Sequence, residues 1–242
     1  MKIRFFTIPN LLTLANLLCG TGAAAAVLAY GDLQLAFWLL VAAALFDFFD
    51  GFAARLLKQS SPIGIQLDSL ADMVSSGVTP AFILLTLAQQ APTLGVIAGE
   101  HPFWPWLVLV LTACSALRLA KFNIDDSQHT EFCGLPTPAA GLLCASLGLL
   151  HADGLLTLPL EGVLLLAFVV AGLLISPVRM FSLKFQGFGW GQNRLRYVFL
   201  GCALAAIIFL RTYAVAPIIV LYVAISFVRW MRQKYMPSQR TR

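Results

Sequence analysis

Asp47 to Asp72 reads DFFDGFAARLLKQSSPIGIQLDSLAD, four aspartates, an arginine and a lysine inside a chain of 242 residues that is 60% hydrophobic and only 11% charged. Soluble domains are about half apolar and about a quarter charged, so the surroundings of this stretch are those of an integral membrane protein. The stretch decides the fold because its acids come in helical pairs. Asp47 and Asp50 are three residues apart and Asp68 and Asp72 four apart, so each pair occupies one face of a helix. The apolar or neutral run from Leu33 to Phe46 rises ~21 Å at ~1.5 Å per residue. A hydrocarbon core is about 30 Å thick, which sets Asp47 near one membrane face and away from the midplane. Ser60, Ser61 and Pro62 turn the chain back at that same face, and the two pairs reach a similar depth on neighbouring helices.

Working outward, windows of roughly 20 apolar residues predict eight membrane-spanning helices over 9–30, 33–58, 63–90, 102–122, 135–152, 157–177, 195–210 and 212–231. The expected fold is all-α, a polytopic helix bundle forming one membrane domain over 1–242, with a core over 1–177 and additional helices over 195–231. The first apolar run is interrupted by Asn10, Thr13 and Asn16 and extends to Tyr30, too long for a signal-peptide core, so it is read as a retained span. With eight spans, every Lys and Arg of the sixteen except Arg211 falls on one side. Lys2, Arg4, Arg55, Lys58, Arg118, Lys121, Arg179, Lys184, Arg194 and Arg196 belong to that set, and Arg229, Arg232, Lys234, Arg240 and Arg242 complete it. Asp32, Glu100, His101, His151, Asp153 and Glu161 fall opposite. The positive-inside rule then places both termini and the acidic stretch in the cytoplasm. The net charge of +5 is therefore a topological signal, with affinity for anionic lipid as a second role. A nucleic-acid partner is not expected, because no basic stripe lies on a soluble surface. Cys19, Cys114, Cys133, Cys144 and Cys202 lack metal-ligand spacing and read as small buried thiols.

Four carboxylates converging near lipid repel one another and lose hydration, and the two local cations, Arg55 and Lys58, do not balance them. Clustered hard oxygen donors suit Mg²⁺ or Mn²⁺, with Ca²⁺ a third candidate. Two divalent cations would neutralise all four acids and leave Arg55 for an anionic substrate. The residue types alone also allow an ion-coupled transporter, although acids at one face without an inverted repeat speak against it. Gly20, Gly22 and the alanines at 23–26 give the first span a smooth face, suited to packing within the subunit or across a homodimer.

The pattern Asp47-x2-Asp50-Gly51-x2-Ala54-Arg55-x8-Gly64-x3-Asp68-x3-Asp72 resembles the signature of the CDP-alcohol phosphotransferase (phosphatidyltransferase) family at every position. Three further segments, TIPNLLT at 7–13, RLAKFN at 118–123 and GLPTPAA at 134–140, are similar to bacterial members of that family that use serine. Lys121 departs from the arginine expected there. The resemblance implies a bacterial cytoplasmic-membrane enzyme that transfers the phosphatidyl group of CDP-diacylglycerol to L-serine at the cytoplasmic face. It implies that Asp47, Asp50 and Asp68 hold two divalent ions, and that Asp72 completes the set and acts as general base. It further implies that Gly51, Ala54, Arg55 and Gly64, with Asn10 and Thr13, meet CDP-diacylglycerol. Serine's carboxylate needs a cation, for which Arg118 and Lys121 are the candidates. The signature itself leaves the acceptor open among serine, glycerol 3-phosphate, inositol phosphate and choline. Pro136 and Pro138 are expected to shape the entry of the fifth span.

Overall fold

A computed structural model describes residues 5–59, 61–95, 103–124, 132–181 and 189–235. Lys2, Arg4, Ser60, Glu100, His101, Pro102, Lys184, Arg240 and Arg242 lie outside the described residues. Each expected window is occupied by a helix: α1 (Ile8–Tyr30), α2 (Leu33–Leu56), α3 (Pro62–Gln90) and α4 (Trp104–Ile124), then α5 (Thr137–Ala152), α6 (Leu160–Ile175), α7 (Trp190–Leu210) and α8 (Val215–Tyr235). The protein is a polytopic helical membrane protein. Helices α1 to α4 are long and apolar enough to cross a bilayer, and so is the apolar stretch Asn193–Lys234. That stretch is broken at Arg211, whose φ is 52°. The rings of Phe199 and Tyr222 then meet at 5.9 Å across the break, so α7 and α8 fold back as an antiparallel hairpin. Helices α5 and α6 have 16 residues each, an axial length of about 24 Å.

Helix starts follow local chemistry. Thr7 caps α1 ahead of Pro9, Asp32 caps α2 by accepting from the Leu35 amide at 2.8 Å, and Ser61 caps α3 ahead of Gly64. In each case an oxygen satisfies an amide that the first turn leaves unpaired. Two short strands, β1 (Phe132–Cys133) and β2 (Arg179–Met180), pair antiparallel and join the approaches to α5 and α7.

The bundle is tightest around α3. A π-helical stretch, Met73–Val78, begins directly after Asp72. A Cβ built on Gly20 of α1 would meet Ser75 Cβ at 2.7 Å, and one built on Gly141 of α5 would meet Ser76 Cα at 3.0 Å. The Thr79 hydroxyl donates to the Gly20 carbonyl at 3.0 Å. Wide helical turns of this kind recur at functional sites, and here three helices close around one. Gly20, Ala23 and Ala26 are buried, so the smooth face of α1 packs within the subunit. At the bundle end remote from the acids, Asp153 accepts from Gln34 and from the Tyr213 hydroxyl. Two amide–carboxylate contacts, both from Leu94 to Glu161 at 3.1 Å, tie the neighbouring loop to α6.

Candidate active site

The site forms where the start of α1, the end of α2 and the start of α3 meet. Asp47, Asp50 and Asp68 present one carboxylate oxygen each within 4.8 Å of one another. Asp50 is 6% exposed and accepts a 2.6 Å hydrogen bond from the Thr13 hydroxyl. Asp72 lies one helical turn past Asp68 and is 9% exposed. Three convergent hard-oxygen ligands fit a divalent cation.

Beside the acids lies a cavity of about 140 Å³, lined by Asn10, Thr13, Asp50, Gly51, Ala54, Gly64 and Asp68 together with Pro9, Gln59, Ser61 and Ile65. Its shape depends on two glycines. A Cβ on Gly64 would sit 3.1 Å from Asn10 Oδ1, closing the passage between α1 and α3, whereas Gly51 faces open space. The Asn10 amide donates to the Phe5 carbonyl at 2.9 Å, which fixes the lip of the cavity. Arg55 is exposed on α2 and does not line this cavity.

Arg118 and Lys121 border a second cavity of about 290 Å³ between α4, β1 and the end of α6, with Cys133 and Ser176 on its wall. Arg118 is 8% exposed, interacts electrostatically with Asp72 and donates from Nη1 to the Thr137 hydroxyl at 2.7 Å. Its guanidinium also stands 5.4 Å from the centre of the Phe122 ring. Lys121 is exposed, and Asn123 at the end of α4 bonds Ser69 of α3. Pro136 precedes α5 and Pro138 occupies its first turn, as expected of residues that shape a helix entry.

Two residues of the site escaped sequence reasoning. Asn16 is fully buried and its amide donates to Asp72 Oδ1 at 3.3 Å. Its signal was present: Asn10, Thr13 and Asn16 recur every three residues and so share one face of α1. Thr137 carried no such signal, because its partner Arg118 lies on another helix.

Comparison with known proteins identifies the class to which this four-aspartate helical hairpin and its adjoining cavity belong. The CDP-alcohol phosphatidyltransferase family model matches residues 6–178. The chain belongs to the CDP-alcohol phosphatidyltransferase family. Similar curated proteins include the CDP-diacylglycerol–serine O-phosphatidyltransferase of Bacillus subtilis, 36% identical over 136 residues, covering 56% of this chain and 71% of the relative. The protein of that name from Helicobacter pylori strain J99 is 29% identical over 232 residues, covering 93% of this chain and 92% of the relative. The archaetidylserine synthase of Methanothermobacter thermautotrophicus is 32% identical over 145 residues, covering 59% of this chain and 58% of the relative.

Proposed function

We propose that the protein transfers the phosphatidyl group of CDP-diacylglycerol to the hydroxyl of L-serine, giving phosphatidylserine and CMP. The observation that carries this reading is the convergence of Asp47, Asp50 and Asp68 beside a cavity lined by Asn10, Thr13 and Gly64, in a chain whose relatives bear names of serine phosphatidyltransferases. Asp47, Asp50, Asp68 and Asp72 would hold two divalent cations, Mg²⁺ or Mn²⁺, with Ca²⁺ a third candidate. When bound, such a pair neutralises a diphosphate and polarises its phosphorus. Asn10, Thr13, Gly51, Ala54 and Gly64 shape the nucleotide end of the donor cavity, and Arg55 meets the donor from the rim.

Asp72 is the general base. Serine's hydroxyl proton passes to its carboxylate, serine's oxygen bonds to the lipid-bearing phosphorus, and the bond from that phosphorus to CMP breaks. The Asn16 amide holds one oxygen of Asp72, leaving the other for the acceptor. Arg118, with Lys121 at the rim, receives serine's carboxylate. The distribution of basic residues and the bacterial relatives support a bacterial cytoplasmic membrane with the site at its cytoplasmic face. The test is incorporation of labelled serine into lipid by purified protein supplied with CDP-diacylglycerol, with EDTA and with restored Mg²⁺ or Mn²⁺. CMP release with glycerol 3-phosphate but not with serine overturns the choice of acceptor.

A further inference from the structure

Residues 190–235 lie beyond the stretch that the family model matches, yet one side chain carries the α7–α8 hairpin to the Arg118 side of the site. Tyr222 of α8 donates its hydroxyl to the Phe181 carbonyl at 3.0 Å. Its ring lies 4.9 Å from that of Phe181, and Phe181 in turn meets Phe199 of α7 edge-on at 5.5 Å. Phe181 directly follows β2, whose Met180 and Arg179 pair with Phe132 and Cys133. From β1 the chain runs through Gly134, where a φ of +77° and the collision that any added Cβ would make with the Leu174 carbonyl oxygen admit only glycine. It then reaches Thr137, the hydrogen-bond partner of Arg118. Arg118 is thus held by Thr137, and Tyr222 anchors the strand pair from which the chain runs to Thr137.

An apolar triad of Phe181, Phe199 and Tyr222 would pack equally well with a third phenylalanine, and a buried hydroxyl is costly unless it is bonded. The Tyr222 hydroxyl is bonded to the segment that frames the acceptor cavity. We propose that Tyr222 is a positioning residue for acceptor recognition, through which the α7–α8 hairpin anchors β2 and its partner β1 and so keeps the Arg118–Thr137 pair in place. This inference rests on the reading of Arg118 as the cation that receives the acceptor's carboxylate.

The experiment uses the full chain in detergent micelles with CDP-diacylglycerol, and compares Tyr222→Phe with Tyr213→Phe. Tyr213 makes an equivalent buttressing bond, 2.8 Å to Asp153, at the remote end of the same hairpin. Tyr222→Phe is expected to raise the KM for serine about fivefold while kcat and the KM for CDP-diacylglycerol stay within about twofold, the signature of a lost contact that aims a binding group. Tyr213→Phe leaves the serine KM unchanged. Combining Tyr222→Phe with Arg118→Lys is expected to cost less than the product of the single effects, because both act on one contact. An unchanged serine KM in Tyr222→Phe, equal KM shifts in the two tyrosine variants, or a fully multiplicative double variant overturns the proposal. If Arg118→Lys alone leaves the serine KM unchanged, the assignment of Arg118 falls and takes this inference with it. Failure of the unsubstituted protein to use serine overturns the proposed acceptor instead.

Discussion

The first three helices and the C-terminal hairpin spend burial in opposite ways. Around α1 to α3 the buried side chains include Asn10, Thr13, Asn16, Asp50, Asp72, Ser75 and Ser76, whereas α7 and α8 bury only Asn193 and Ser226 among the polar side chains described. The hairpin instead turns Leu204, Ile207, Ile208 and Phe209 outward. Removing a polar group from water costs several kcal/mol unless partners replace the lost hydrogen bonds. A membrane protein that concentrates such groups at one end retains them for chemistry, and the apolar hairpin serves as the mould that keeps the end in shape. Substitutions should therefore divide by region: those near the acids change turnover, and those on the hairpin change substrate affinity or nothing.

The largest effect is expected at the acids. Asp72→Asn keeps the side-chain volume and removes the proton acceptor, and should lower kcat by about 10²–10⁴-fold, the usual contribution of a general base. Asp68→Asn should instead raise the concentration of Mg²⁺ or Mn²⁺ needed for half-maximal activity, read from CMP release in a metal titration. EDTA should abolish activity in the unsubstituted protein and added metal should restore it. If Asp72→Asn retains full turnover, the base lies elsewhere in the site.

The next effect concerns the packing that aims Asp72. Gly20→Val would drive its side chain into Ser75, whose Cβ already stands 2.7 Å from where a Cβ on Gly20 would lie. Overpacking of this kind costs about 1–3 kcal/mol. Both the melting temperature in detergent and kcat should fall, because Ser75 lies in the wide turn that follows Asp72, the proposed base. Gly22→Val is the matched control. Its nearest neighbour is a flexible Leu39 methyl at 3.6 Å, so it should be tolerated.

These packing contacts mark the boundary of what the sequence makes legible. The acids were readable because helical periodicity is local: Asp47 and Asp50, and Asp68 and Asp72, declare a shared face by spacing alone. The helices were readable because a bilayer demands about 20 apolar residues per crossing, and each window holds one. The π-helical turn after Asp72 was not, because it is packed against glycines of α1 and α5 that no pattern within α3 reveals. Thr137 and Tyr222 were hidden for a related reason. Thr137 appears in the sequence as a residue between two prolines, and Tyr222 as one aromatic among many in an apolar run; each acquires its role only from a partner on another helix.

Between the two regions sits the Arg118–Thr137 bond, and its loss should produce an intermediate effect. Thr137→Val keeps the shape and removes the acceptor of the 2.7 Å bond. The serine KM should rise about fivefold with little change in the KM for CDP-diacylglycerol, and Thr137→Ser should restore it, since only the hydroxyl is needed. An equal rise in both KM values would mean that Thr137 supports the fold of the whole end and does not aim Arg118.

The smallest effect tests the hairpin itself. Phe209 is 84% exposed on α7, and Phe181 is 1% exposed at the centre of the aromatic triad. The same change, phenylalanine to leucine, should therefore give two outcomes. At 209 one apolar side chain replaces another on a lipid-facing surface, no cavity forms and no polar group is uncovered, so stability should stay within about 0.5 kcal/mol and the serine KM should not move. At 181 the substitution removes the ring against which Tyr222 and Phe199 pack, and opens space in a close-packed cluster next to β2. A measurable rise in the serine KM is expected there, smaller than that of Tyr222→Phe because the Phe181 carbonyl, a backbone group, still accepts the tyrosine's hydrogen bond. Equal behaviour at the two positions would mean that the hairpin is apolar filler throughout, and that the division between the chemical end and its mould has been drawn in the wrong place.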